Sequence, residues 1–311
     1  MTTHALKVIK PGSLSLIQDF GRFALAHQGI TQGGPVDDYA YSWSNHLLGN
    51  PVNCTSLEIT LGQAAFEVLS SCQLAICGGD LDARLNGHPL HNWSEFRAHK
   101  GDILTFGLAK NGLRAYLSVV GGFDISQQLG STSTVVRDHL GGLKQNGMPL
   151  VAEQLLPFAP HQPNPNKARS LTFRFKPDYN LPLKLRVIEG CQAADFAAEE
   201  IALFYQTRFS VDPNSNRMGY RLAGGTISPP YQGILSEGIT LGAIQVPPNG
   251  QPIILLNDRQ TIGGYPKLGC VARIDLPRLA QAKPGQEVRF VRGDREGLQD
   301  VWCQWARFFG Y

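Results

Sequence analysis

The side chains best able to do chemistry in this 311-residue chain are concentrated between residues 215 and 266. Arg217 and Arg221 stand either side of Gly219. If this segment is a strand, positions 217, 219 and 221 share a face, so both guanidiniums project past a residue with no side chain. Two planar forks of donors on one face suit an anion such as a carboxylate or phosphate. Two arginines on a solvated strand face are an equally good reading of that pair alone. Ser236, Glu237 and Gln245 follow, and the apolar run 253–256 then ends in Asn257, Asp258, Arg259, Gln260 and Thr261, ahead of Gly263, Gly264 and Tyr265. Hydrogen-bonding side chains at the end of a buried strand cost free energy unless something satisfies them. Paired glycines there let a backbone or a ligand come close. The competing reading is a polar network that ties elements together. A weaker group, Gln18, Asp19 and Arg22, lies near the N-terminus, and a hydroxyl run, residues 131–134, follows Gly130.

The elements that must position these groups show when the chain is compared with itself. Leu6-Lys7-Val8-Ile9 matches Leu185-Arg186-Val187-Ile188, and Ile59-Thr60-Leu61-Gly62 recurs unchanged as Ile239-Thr240-Leu241-Gly242. Residues 100–106 parallel residues 284–290 at nearly the same offset. The chain therefore reads as two related β-rich lobes, 1–165 and 166–311. The divide falls in the proline-rich stretch 157–168, and the main site lies in the second lobe. Each half inserts one helix. In the first, Asp37 or Asp38 caps a helix carrying Ala40, Trp43 and Leu47 on one face and ending at Gly49. In the second, residues 193–208 place Phe196, Ile201, Phe204 and Tyr205 at helical spacing. Alternation over Leu171-Thr172-Phe173-Arg174-Phe175 predicts a strand. A last helix, from about Arg295 to Phe309, sets Leu298, Val301, Trp302, Trp305 and Phe309 on one side, a stripe expected to face the core, with a partner surface as the alternative.

Composition narrows the function. A net charge of +3 spread over the chain, with no basic run, argues against nucleic acid. Abundant glycine (34) and proline (20) point to short strands and tight turns rather than long helices. The longest promising uncharged run holds Pro247, Pro248 and Pro252, which argues against a membrane segment. No two of the six cysteines have CxxC spacing, and the N-terminus lacks the apolar core of a signal peptide. A cytoplasmic protein with free thiols is expected. No P-loop, HExxH, GxSxG or strand-borne GxGxxG is present, and no lysine lies beside methionine as in a biotin-acceptor hairpin, so no covalent biotin is expected on this chain.

The same residues carry a family resemblance. Pro11-Gly12 with Gln18-Asp19-x-Gly21-Arg22, Gly130-Ser131-Thr132-Ser133-Thr134, and Asn216-Arg217-Met218-Gly219-Tyr220-Arg221-Leu222 are three of its segments. The longest runs from Gly242-Ala243-Ile244-Gln245-Val246-Pro247-Pro248 to Asp258-Arg259-Gln260-Thr261-x-Gly263-Gly264-Tyr265. Together they resemble the allophanate hydrolase subunit 2 (KipA) family over nearly the whole chain. That family includes the C subunit of the bacterial ATP-dependent 5-oxoprolinase and part of the carboxyltransferase domain of urea amidolyase. One departure is Asn216, where the family often has aspartate, so no acid–base role is given to it.

The resemblance implies a mostly β protein with a few helices, built as two cyclophilin-like β-barrel lobes. It implies two protein partners, a KipI-like B subunit and a LamB/YcsF-like A subunit. ATP with magnesium is the implied cofactor, shared with one of those partners. Together these open 5-oxoproline to glutamate. On that reading Arg217, Arg221, Asp258 and Arg259 are the catalytic candidates. Ser236, Glu237, Gln245, Gln260, Thr261 and Tyr265 contact substrate, Gln18, Asp19 and Arg22 are first-lobe contributors, and Glu237 or Asp258 would hold magnesium. The alternatives are a biotin-dependent carboxyltransferase component acting on urea or a similar amide, and a regulatory protein that binds a KipI-like partner.

Overall fold

The computed structural model describes residues 4–161 and 168–311. The chain forms two compact units. The first comprises residues 1–22 and 33–179, and the second residues 23–32 and 180–311. The divide expected near residue 165 lies outside the described residues.

The first unit contains β1 (Ala5–Pro11), β2 (Leu14–Gln18), α1 (Asp38–Leu48), β3 (Ser56–Thr60), β4 (Ala64–Val68), β5 (Cys72–Asp80), β6 (Arg84–Leu85), β7 (His88–Pro89), β8 (Ser94–Ala98), β9 (Ile103–Thr105), β10 (Asn111–Val119) and β11 (Leu155–Pro157). Two sheets result, ordered β11-β1-β4-β9-β6-β7 and β2-β3-β10-β5-β8. Their facing sides share one core that includes Leu6, Val8, Phe66 and Leu104 from the first sheet and Leu57, Leu74, Ile76 and Leu117 from the second. The alternate residues Ala75, Cys77 and Tyr116 point out of the second sheet against Ala40 and Tyr41 of α1. With both faces covered, β5 and β10 are buried along nearly their whole length, including the polar Gln73, Arg114 and Ser118. As expected, Asp37 caps α1, accepting from the Ala40 amide at 2.8 Å, and Gly49 ends it in the left-handed conformation.

The second unit contains β12 (Leu183–Glu189), α2 (Ala198–Gln206), β13 (Phe209–Val211), β14 (Gly219–Ala223), β15 (Glu237–Gly238), β16 (Ala243–Gln245), β17 (Ile253–Leu255), β18 (Ile262–Gly263), β19 (Lys267–Val271), α3 (Leu276–Ala280), β20 (Glu287–Arg292) and α4 (Arg295–Phe309). Seven strands close into a barrel in the order β12-β19-β16-β17-β14-β13-β20, and β15 and β18 form a separate two-stranded ribbon. Within the barrel core Phe204 of α2 stacks on Phe290 with ring centroids 4.3 Å apart.

The mostly β expectation holds, and the second unit is a closed barrel. The matched segments fall on β1 and β12, on the end of β3 with the turn into β4 and on the turn before β16, and on β9 and β20, but their pairing differs. β4 lies between β1 and β9, whereas β12 pairs with β20 directly and is separated from β16 by β19. Three local expectations change. Residues 173–175 form a 3-10 turn rather than a strand, because only Leu171 of that alternating run is buried while Phe173 projects into solvent. The second-lobe helix is split into a 3-10 turn, Cys191–Asp195, and α2, because Phe196 and Ala197 are extended. The aromatic stripe of α4 buries Leu298 and Phe309 but leaves Val301 exposed and Trp302 and Trp305 half-covered; these two rings stack at 4.7 Å, with the Arg273 guanidinium 4.2 Å from Trp302.

Candidate functional site

The site residues separate into braces and cleft-liners, and the apolar run before them shows how. In β17, Ile254 points into the barrel core with Leu256 beyond it, while Ile253 and Leu255 pack outside with Ile239 and Ala243. Beyond Leu256 the chain turns through Asn257 and Asp258, both buried. Asp258 accepts from Arg217 through both oxygens, Nε–Oδ2 at 2.8 Å and Nη2–Oδ1 at 2.9 Å, and both side chains are almost fully buried. The backbone doubles the link, since the Asp258 amide donates to the Arg217 carbonyl at 3.0 Å. Arg259 donates to the Ile239 and Leu256 carbonyls at 3.2 Å each, and burial pulls its pKa below the ordinary arginine value. The expectation that Arg217 and Arg221 share a strand face fails because β14 begins only at Gly219. Arg217 lies before it in the buried pair, and Arg221 is exposed.

Arg221 lines a cleft of about 130 Å³ on the outside of the barrel, with Asn216, Met218, Gly219, Gln245, Ile253, Leu255, Gln260 and Tyr265. The register sets Arg221 opposite Ile253 and Ile253 opposite Gln245, so the three stand abreast on β14, β17 and β16. At ordinary strand spacing this places the Arg221 and Gln245 backbones about 10 Å apart, one at each side of the cleft. Gln245 is 2% exposed, and its Nε2 has no hydrogen-bond partner among the described residues. A buried amide donor left this way is destabilising by about 1–3 kcal/mol unless a ligand or water accepts from it. The glycine pair expected to allow close approach does so for protein rather than ligand. A Cβ on Gly263 would come within 2.8 Å of Gln245 Nε2 and 2.4 Å of Ile239 Cδ1, so the ribbon can lie against Gln245 only through a glycine.

Ser236 and Thr261 line neither this cleft nor the one that holds Glu237. Ser236 is exposed, and Thr261 contributes its carbonyl to the Ile239 amide. Glu237 belongs to a second cleft of about 320 Å³ with Gln192, Lys267, Cys191 and Cys270. There it pairs with Lys267 and accepts from Gln192 Nε2 at 2.6 Å, and the lysine holds its carboxyl below the usual range. Sequence reasoning missed Gln192 and Lys267. Lys267 pairs across strands with Gln245, a neighbour that only the register reveals.

Neither expected metal ligand offers a carboxylate without a cationic partner: Asp258 is held by Arg217 and Glu237 by Lys267. Among the described residues no three His, Cys, Asp or Glu side chains converge. The described residues do not by themselves fit a magnesium site.

In the first unit the structure does bring together Gln18, Asp19, Arg22 and the hydroxyl run. Asp19 accepts through Oδ1 from Ser131 Oγ, from Ser133 Oγ at 2.7 Å and from the Gly21 amide at 2.9 Å, and through Oδ2 from the Thr132 amide at 2.8 Å. Arg22 donates to the carbonyls of Gln128, Ser131 and Ser133, and Gln18 to that of Thr134. All three are buried, and the cluster clasps the 128–134 segment through these bonds.

The thiols test this burial pattern. Cys191 is exposed, whereas Cys54, Cys72 and Cys77 are buried, and burial pushes the Cys72 thiol up to about 12 and that of Cys77 well above its ordinary value. Iodoacetamide at neutral pH is expected to label Cys191 in the native chain and these three only after unfolding, as read by peptide mass spectrometry. Native labelling of Cys77 would contradict the packing of α1 on its sheet.

The sequence model described as carboxyltransferase domain, subdomain A and B, matches residues 28–292. The chain is 34% identical over 305 residues to the C subunit of 5-oxoprolinase from Escherichia coli, covering 98% of this chain and 96% of the relative. It is 27% identical to urea amidolyase of Saccharomyces cerevisiae, of which it spans 16%. Among solved structures, TTHA0988 superposes with a TM-score of 0.83 at 32% identity, covering 93% of this chain and 56% of that one. The Kluyveromyces lactis urea carboxylase superposes with a TM-score of 0.87 at 27% identity, covering 99% of this chain and 29% of that one. No helix among the described residues is long and apolar enough to cross a membrane. A family match over most of the length, with a relative one-third identical end to end, places the chain in the carboxyltransferase-domain family that includes the C subunit of 5-oxoprolinase and the corresponding part of urea amidolyase.

Proposed function

We propose that this chain is the C subunit of an ATP-dependent 5-oxoprolinase and that the Arg221–Gln245 cleft holds the lactam. The observation that carries the reading is Gln245, a buried amide with an unpartnered donor, standing abreast of an exposed guanidinium across apolar Ile253. A five-membered lactam carboxylate offers matching groups. Its carboxylate suits the fork of Arg221, its amide edge suits the Gln245 and Gln260 amides, and its methylenes suit Met218, Ile253 and Leu255. Resonance makes the lactam carbonyl a poor electrophile, so ring opening needs its oxygen activated before water attacks. On this reading the KipI-like partner contributes to that activation and the LamB/YcsF-like partner to hydrolysis. Since Asp258 and Glu237 are already paired with cations, ligands for magnesium come from the partner side. Urea, the alternative substrate class, carries no carboxylate for Arg221.

The test is glutamate release from 5-oxoproline, with and without ATP, by the chain co-purified with its candidate KipI-like and LamB/YcsF-like partners. Arg221→Met is expected to lower kcat/KM for 5-oxoproline roughly 10- to 100-fold, the loss of one charge-assisted contact, with the melting temperature little changed. Full turnover by that variant would remove the cleft from the reaction.

A further inference from the structure

We infer that Asn216 makes the Arg221–Gln245 cleft select carboxylates whose nitrogen is an uncharged amide over amino acids that carry an ammonium. This rests on the reading of the cleft as the lactam site, and it concerns what the cleft rejects. Of the residues that line it, Arg221 alone is charged, and no carboxylate is among them. The nearest candidates in sequence are engaged elsewhere: Asp258 by Arg217, and Asp212 by the backbone amide and side chain of Asn214. Asn216 is the position that decides this. Its Oδ1 accepts from the Met218 amide at 2.8 Å, which fixes the side chain and leaves its NH2 as the end able to meet a ligand. The cleft therefore presents a guanidinium, three side-chain amides and the phenol of Tyr265, with no negative charge among them.

An amino acid whose carboxylate meets Arg221 brings its ammonium within a few ångströms of that guanidinium. There it meets only neutral acceptors, so charge repulsion opposes binding with no carboxylate to offset it. A lactam N–H needs one carbonyl-type acceptor, which the glutamine amides supply. An aspartate at 216 would keep the bond to the Met218 amide, since a carboxylate accepts at least as well. It would also place a negative charge in the cleft that Arg221 lines, where it competes with the ligand carboxylate for the guanidinium and attracts an ammonium. The side chain thus sets the sign of the cleft without being needed for the fold.

5-Oxoproline and L-proline test this, because they share ring size and carboxylate, whereas L-proline has an ammonium and no ring carbonyl; the Asn216→Asp arm separates the charge from the lost carbonyl contact. Isothermal titration on the full chain, repeated on its complex with the two partner proteins, is expected to show L-proline at least tenfold weaker than 5-oxoproline. Asn216→Asp is expected to weaken 5-oxoproline and shrink that ratio at least tenfold, whereas Asn216→Ser, which adds no charge, preserves it. L-Proline binding within threefold of 5-oxoproline, or a ratio unmoved by Asn216→Asp, would overturn the inference while leaving the lactam site standing. No heat from 5-oxoproline in either chain or complex would instead sink the site, and the inference with it.

Discussion

Asp258→Ala is expected to lower stability by about 3–5 kcal/mol, because it leaves the Arg217 guanidinium buried without its counter-charge. The pair is bidentate, both side chains are almost fully buried, and it joins the loop before β14 to the loop after β17. Removing one partner is far worse than removing both. Arg217→Met combined with Asp258→Leu, which fills the site with apolar volume, is expected to recover most of the loss in urea denaturation. The cycle also separates a brace from a catalyst. A double variant that folds and still supports 5-oxoproline turnover in the complex makes the pair purely structural. A folded but inactive double variant returns Arg217 and Asp258 to the reaction, against their absence from the lining of either cleft.

Why sequence reasoning grouped those two with Arg221 and Gln245 is itself physical. The local pattern shows that polar side chains crowd the end of a buried strand, and that such groups need partners. It does not show which partner each finds. Asp258 meets an arginine 41 positions away, and that meeting depends on β14 and β17 being neighbours in the barrel. Arg221, two residues into the same strand, meets no counter-ion among the described residues and stays exposed. The sequence marks Gln245 only as a polar residue ahead of the apolar run, and its orphaned donor appears only once Gly263 and Ile239 are seen packed against it. Elements with strong local signals were readable almost to the residue. Asp294 caps α4 and Gly310 ends it, as Asp37 and Gly49 do for α1. The segment 171–175 misled because alternation is a weak signal over five residues, and here Leu171 alone finds the core.

Asp19→Ala is the other replacement with a large expected effect, about 3–5 kcal/mol, because it strands several buried donors at once. One carboxylate satisfies the Gly21 and Thr132 amides and the Ser131 and Ser133 hydroxyls. The hydroxyls can rotate toward other acceptors, but the amides cannot, so the loss falls short of four full penalties. Asp19→Asn keeps the shape and one carbonyl-type oxygen and is expected to lose less, about 1–3 kcal/mol. Arg22→Met should loosen the same segment from the other side, since Arg22 caps the Gln128, Ser131 and Ser133 carbonyls. Hydrogen exchange should report this as faster exchange of the Thr132 and Ser133 amides in all three variants, alongside a lowered melting temperature. The clasp explains why the Gln18–Arg22 group and the hydroxyl run, more than a hundred residues apart in sequence, meet in the fold: each supplies the donors and acceptors the other lacks. An Asp19→Asn chain that melts like the parent yet loses 5-oxoproline turnover in the complex would overturn that account and move Asp19 from the scaffold to the chemistry.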